Sequence, residues 1–150
     1  MLSVGLVVLL VVGSASVTTR LVVDLIRGGP DTNSPTQLLR IGAVVWAYIV
    51  IAFAFLYWEL DGEGPEARSR AVPAFPDLAF PQHVNPTLAR PGWRPQFFDY
   101  LYLGFTNSTA FSPTDVMPLS RWAKLAMAVQ ATASLVVLGL VVARAVNVLK

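Results

Sequence analysis

The chain has 150 residues, of which 55% are hydrophobic and 13% charged, and a mean hydropathy of +0.59; soluble domains carry about 25% charged residues, so this composition points to a bilayer. Eleven Lys and Arg against nine Asp and Glu give a net charge of +2, and no basic patch with interleaved aromatics gives nucleic-acid binding a foothold. Cys is absent, which removes disulfides, thiolate nucleophiles and thiolate metal sites together.

Residues 2–27 form the first predicted span. They are aliphatic through Val17 and continue helically through Arg20 and Asp24 until Gly28, Gly29 and Pro30 stop them. At about 1.5 Å per residue this stretch crosses a hydrocarbon core of about 30 Å. Arg20 and Asp24 stand four apart, a spacing that pairs them where the helix leaves the membrane. Gly13, Ser14 and Ala15 offer a small-residue cleavage site, but no basic stretch precedes the apolar run, so a span is preferred to a signal peptide. The chain starts almost directly inside an apolar helix, as expected when a segment lies upstream.

The second span, residues 35–60, opens with Ser34 at the N-cap, Pro35 at the first helical position and Gln37 where a capping box places its reciprocal partner. It carries no charge from Ile41 to Trp58 and ends in an aromatic pair suited to the headgroup level. Glu59, Asp61, Glu63 and Glu66 follow. They lack the spacing of a calcium loop and read as a solvated helix end.

Residues 61–94 are a proline-rich loop whose Phe75, Phe80 and Trp93 argue for packing against the rest of the protein. A loop of this length is uncommon unless it is functional or disordered. Residues 95–118 read as a short helix, from Pro95 to about Asn107, running into a polar stretch broken by Pro113. Residues 119–150 supply the last span, with Trp122 and Lys124 at one interface and Arg144 and Lys150 at the other. The excess of Arg20, Arg27 and Arg40 near the first connection puts that connection in the cytoplasm and the proline-rich loop outside.

A short apolar helix that ends in a polar turn ahead of a long apolar helix is the layout of a re-entrant loop, which is tolerated at membrane depth only where it is packed in protein or lines a watery cavity. The stretch YLGFTNSTAFSPTDVMP, residues 102–118, resembles at matching length the pore-helix and filter segment of two-transmembrane potassium channels. Tyr102, Phe105, Thr109, Asp115 and Pro118 stand at matching places. The family's filter falls on Thr109 followed by Ala110, Phe111, Ser112, Pro113 and Thr114. Ser112 and Thr114 occupy the two glycine positions and Pro113 restricts the backbone, so a potassium-selective carbonyl ladder is not expected. The whole is also similar to bacterial membrane proteins that carry such a degenerate module after extra helices, which implies a bacterial cytoplasmic membrane.

The expected fold is an all-α membrane protein of three transmembrane helices with a re-entrant helix and loop between the second and third. One such loop cannot enclose a pore, so the resemblance implies a ring, with four copies favoured. The pore-lining candidates are Thr106, Asn107, Ser108, Thr109, Ala110, Phe111, Ser112, Pro113, Thr114 and Asp115. The polar side chains among them would replace water around a monovalent cation or small solute, or satisfy one another in a dry interior. Gln130 and Ser134, four apart on the last helix, would line a cavity below the loop or bond across helices. Asp115 would concentrate cations at the outer mouth or brace the loop through Trp93 or Arg121. No catalytic constellation can be assembled and no cofactor is expected. The competing function is a non-conducting scaffold that docks a partner through the proline-rich loop.

Overall fold

The computed structural model describes residues 2–27, 34–70, 76–109 and 115–148. The protein is mostly helical. Its long helices are α1 (Leu2–Arg27), α2 (Pro35–Leu60) and α6 (Arg121–Val148), and a shorter α5 (Phe97–Thr109) precedes the last. Three spans, Val7–Arg27, Pro35–Glu63 and Arg121–Asn147, are long and apolar enough to cross a membrane. That is consistent with an integral membrane protein. Ser34 stands at the N-cap of α2 and Pro35 opens the helix, but the Ser34 side chain makes no capping bond. Arg20 and Asp24 are not paired: among the described residues the ion pair is Arg70–Glu66.

Helix α2 is the centre of the molecule, with α1, α5 and α6 packed around it. Its Leu38, Ile49 and Tyr57 are fully buried with Leu103 of α5 and Val137 of α6. Two glycines permit the close approach of these helices. A Cβ on Gly42 would lie 2.7 Å from Val141 Cγ2, and one on Gly104 would lie 3.0 Å from the Val50 carbonyl oxygen. Space around Gly139 is open. Gly104→Val is therefore expected to cost about 1–3 kcal/mol through overpacking, because the obstructing atom is backbone and cannot yield. Gly139→Ala should leave the thermal midpoint unchanged or slightly raised, and melting both variants in detergent checks the contrast.

Past α2 the backbone reverses through three successive positive-φ residues, Gly62 (53°), Glu63 (63°) and Gly64 (95°). Glycine suits this region because a Cβ there is crowded; at Gly64 it would stand 3.1 Å from the Glu59 carbonyl. The stretch expected to lack helix then contains α3 (Pro65–Arg70), α4 (Pro81–Val84) and a 3₁₀ turn at Pro86–Leu88. Each begins at a proline, which pre-sets the first helical φ. None is long enough to print a periodic pattern in sequence. Strand β1 (Leu78–Ala79) pairs antiparallel with β2 (Met117–Pro118), Leu78 opposite Pro118 and Ala79 opposite Met117. The residues on the far side of α5 thus return to the same cap of short elements from which α5 departs.

Candidate functional site

Two aspartates build the cap. Asp61, at the end of α2, is 1% exposed. Its Oδ1 accepts the backbone N–H groups of Asp77 (3.1 Å) and Leu78 (3.0 Å), and its Oδ2 accepts the Tyr100 hydroxyl at 2.6 Å. Asp77 reciprocates: its carboxylate accepts Gly62 N–H at 3.2 Å and the Trp122 indole N–H at 2.9 Å, while its carbonyl accepts Leu119 N–H at 2.8 Å. The ends of α2, α5 and α6 are joined through these two side chains. The expectation of a solvated acidic helix end therefore fails at Asp61, because three donors converge on it and replace its water.

Arg68 completes the cap. It is 5% exposed, donates to the carbonyls of Asp61 and Trp58, and stacks 4.8 Å from the Trp58 ring and 5.1 Å from the Tyr100 ring. A guanidinium on the last carbonyls of α2 meets the negative end of that helix. Burial, reinforced by the neighbouring Asp61 carboxylate, pushes the Tyr100 phenol above its ordinary range, so it stays a neutral donor to Asp61. Phe80 is 3% exposed and holds His83, Trp93 and Tyr100 edge-on at 5.3–6.1 Å. His83 is half-buried. Phe75 lies outside the described residues.

From this cap α5 runs along α2, with Phe97 against Phe55 (4.7 Å) and Phe105 edge-on to Trp46 (5.6 Å). Its far end meets Gln130, nine residues into α6 and hence about 14 Å from the start of that helix. Gln130 is fully buried. Its Oε1 accepts the Tyr57 hydroxyl (2.7 Å) and Asn107 Nδ2 (2.9 Å), while its Nε2 donates to the Gly104 carbonyl (2.8 Å) and Ser108 Oγ (2.9 Å). Asn107 Nδ2 also donates to the Met127 carbonyl at 3.0 Å. One amide thus uses both its donors and its acceptor to fasten α5 and α2 to α6.

The residues singled out in sequence divide accordingly. Asn107, Ser108 and Gln130 come together in this junction. Thr106 and Thr109 turn their hydroxyls back onto carbonyls of α5 itself, those of Tyr102, Leu103 and Phe105 among them. Ser134 is fully buried, and its hydroxyl has no partner among the described residues. Ala110, Phe111, Ser112, Pro113 and Thr114 lie outside the described residues. Asp115 is exposed and bonds to neither Trp93 nor Arg121; the bracing role falls to Asp77, which the β1–β2 pairing holds beside the start of α6.

Beneath the tip of α5 opens a groove of about 550 Å³, lined by Asn107, Ser108 and Thr109 and, from α6, by Ala131, Thr132, Leu135 and Gly139 among others. Gln130 and Ser134 face the helix packing instead. Thr132, two residues beyond Gln130 and exposed on nearly the opposite side of α6, was not singled out in sequence. Its one signal was a hydroxyl in an apolar helix.

Fold and site together define a helical protein with three membrane-crossing candidates and a buried polar junction at the tip of a fourth, shorter helix. Compared with family models, curated proteins and solved structures, the chain gives no match.

Proposed function

We propose that this protein is a channel-like pore subunit of a membrane ring, four copies being favoured, in which residues 95–118 enter the bilayer and return to the side they came from. The observation that carries this reading is the fastening of α5 at both ends. Tyr100 is tied to Asp61 in the cap, Asn107 and Ser108 are tied to Gln130 about 14 Å along α6, and the chain regains the cap at Met117. If α6 crosses a bilayer from Arg121, the tip of α5 lies near mid-depth. The negative end of the helix dipole then points into the groove, where it favours a cation.

The groove is mostly apolar, and what supports passage of monovalent cations or small solutes is the group of Asn107, Ser108, Thr109 and Thr132 on its wall. Ser112, Pro113 and Thr114 in place of the glycine-bearing filter argue against potassium selectivity. The docking-scaffold reading is weaker, because Phe80 and much of Trp93 are spent inside the cap. On the charge pattern the cap faces outward.

Purified protein in liposomes tests the proposal. It should pass monovalent cations with little discrimination between potassium and sodium. Thr132→Leu, which adds bulk and removes a hydroxyl from the groove, should reduce the flux about tenfold without altering the oligomer, and Thr109→Leu should act in the same direction. Absence of flux from liposomes that contain intact rings would overturn conduction.

A further inference from the structure

We infer that the uncovered face of α5 is occupied by a second copy of this chain, whose α6 delivers Lys124 into the pocket between Asp99 and Asp115. The inference rests on the ring reading above and names the surfaces that would form the ring.

The receiving surface has two parts. At the cap end is a pocket of about 240 Å³, with Asp99 and Asp115 on its walls beside Phe98 and Tyr102. Asp99 Oδ2 already accepts Gln96 N–H at 2.6 Å, whereas Asp115 has no partner among the described residues. Two carboxylates flanked by two aromatic rings suit a long basic side chain, through charge and through its attraction to the ring faces. From the pocket an apolar stripe continues down α5 at helical spacing to Phe105: Phe98 is 73% exposed, Tyr102 51% and Phe105 48%.

The first turns of α6 offer the complement. Arg121 and Lys124 are exposed and make no ion pair among the described residues, and beyond them Leu125 (66%), Ala128 and Val129 (51%) are also uncovered. The depths agree. Counting about 1.5 Å per residue from the helix starts, Asp99 and Lys124 lie about 3 and 5 Å down, and Phe105 and Val129 both about 12 Å down. Charge meets opposite charge at the outer level, and apolar surface meets apolar surface beneath it. An anionic lipid surface is the poorer occupant, since the pocket is acidic. Because the two surfaces differ, the contact can repeat head-to-tail, and a repeated contact of that kind forms a ring where its rotation closes.

The chain contains no Cys, so introduced pairs report without background. Phe105→Cys with Val129→Cys in one chain, oxidised in native membranes, should give a ladder of covalent species rising from dimer to a closed ring, while either substitution alone should not. Lys124→Glu in that background should lower the cross-linked fraction about fivefold, and adding Asp115→Lys should restore it. If no ladder forms while native mass spectrometry still finds a ring, the interface lies elsewhere and this inference alone is overturned. A monomeric mass with no ladder overturns the inference together with the ring. A ladder whose yield ignores both charge substitutions overturns the Lys124 pocket.

Discussion

Gln130→Leu is expected to lower the unfolding free energy by about 2–4 kcal/mol and the thermal midpoint in detergent by about 10 °C. The side chain makes four hydrogen bonds in a fully buried position, to Tyr57, Asn107, Gly104 and Ser108. Interhelical bonds of this kind average about 0.6 kcal/mol in a bilayer, which alone gives the lower figure. Each buried group left unpaired adds about 1–3 kcal/mol unless it finds another partner. Asn107 keeps its bond to the Met127 carbonyl, which limits the loss. Tyr57→Phe removes a single bond and should cost about 1 kcal/mol or less. A Gln130→Leu protein that melts with the wild type would mean that α5 is not held where these bonds place it.

Asp61→Ala should be worse still, costing about 3–5 kcal/mol in all, since it strips the acceptor from two buried donors and one half-buried donor on two other segments. Tyr100 loses the partner that fixes the top of α5, and Asp77 and Leu78 lose the one that fixes β1. Tyr100→Phe isolates one of those bonds and is expected to cost about 1.5–3 kcal/mol, as a bond to a charged acceptor does. The phenol is raised above its ordinary range, so the folded state favours the neutral form. That contribution is present below the ordinary tyrosine pKa and is lost only as pH rises through the raised value, so the gap between wild type and Tyr100→Phe should be flat across neutral pH. A gap that closes on mild alkalinisation would contradict the Tyr100–Asp61 bond.

The sequence already marks the three long helices, because each is an unbroken apolar run between proline, glycine and charge. Pro35 opens α2 as its position requires, and Gly62 and Gly64 end it. α5 begins two residues later than its composition implies, since Pro95 precedes the helix rather than opening it. What sequence could not disclose is pairing over distance. Asp61 meets Asp77 and Tyr100, 16 and 39 positions on, and nothing in Asp-Gly-Glu distinguishes a buried carboxylate from a wet one. Gln130 and Ser134 looked alike at one helical turn apart. The structure gives the first four side-chain bonds and the second none, because α5 ends at the level of Gln130 and does not reach Ser134. The short helices of the cap escaped for another reason: a single proline-led turn carries no period to detect.

In the proposed function the cap and the junction have separate parts. The aspartate clasp sets where α5 starts, and Gln130 sets where it ends, so the groove below Thr109 inherits its shape from both. Substitutions in the clasp should therefore disturb flux only through loss of fold, whereas Thr132→Leu should disturb flux while the melt is unchanged.

In the proposed ring the tip of α5 lies inside the bilayer and beside a symmetry axis. Particle imaging of the purified protein in lipid nanodiscs measures both at once. A ring is expected, four copies being favoured, with Asn107 and Ser108 near the mid-height of the disc and the grooves turned toward a common axis. Isolated protomers, or α5 lying wholly above the disc surface, would contradict it.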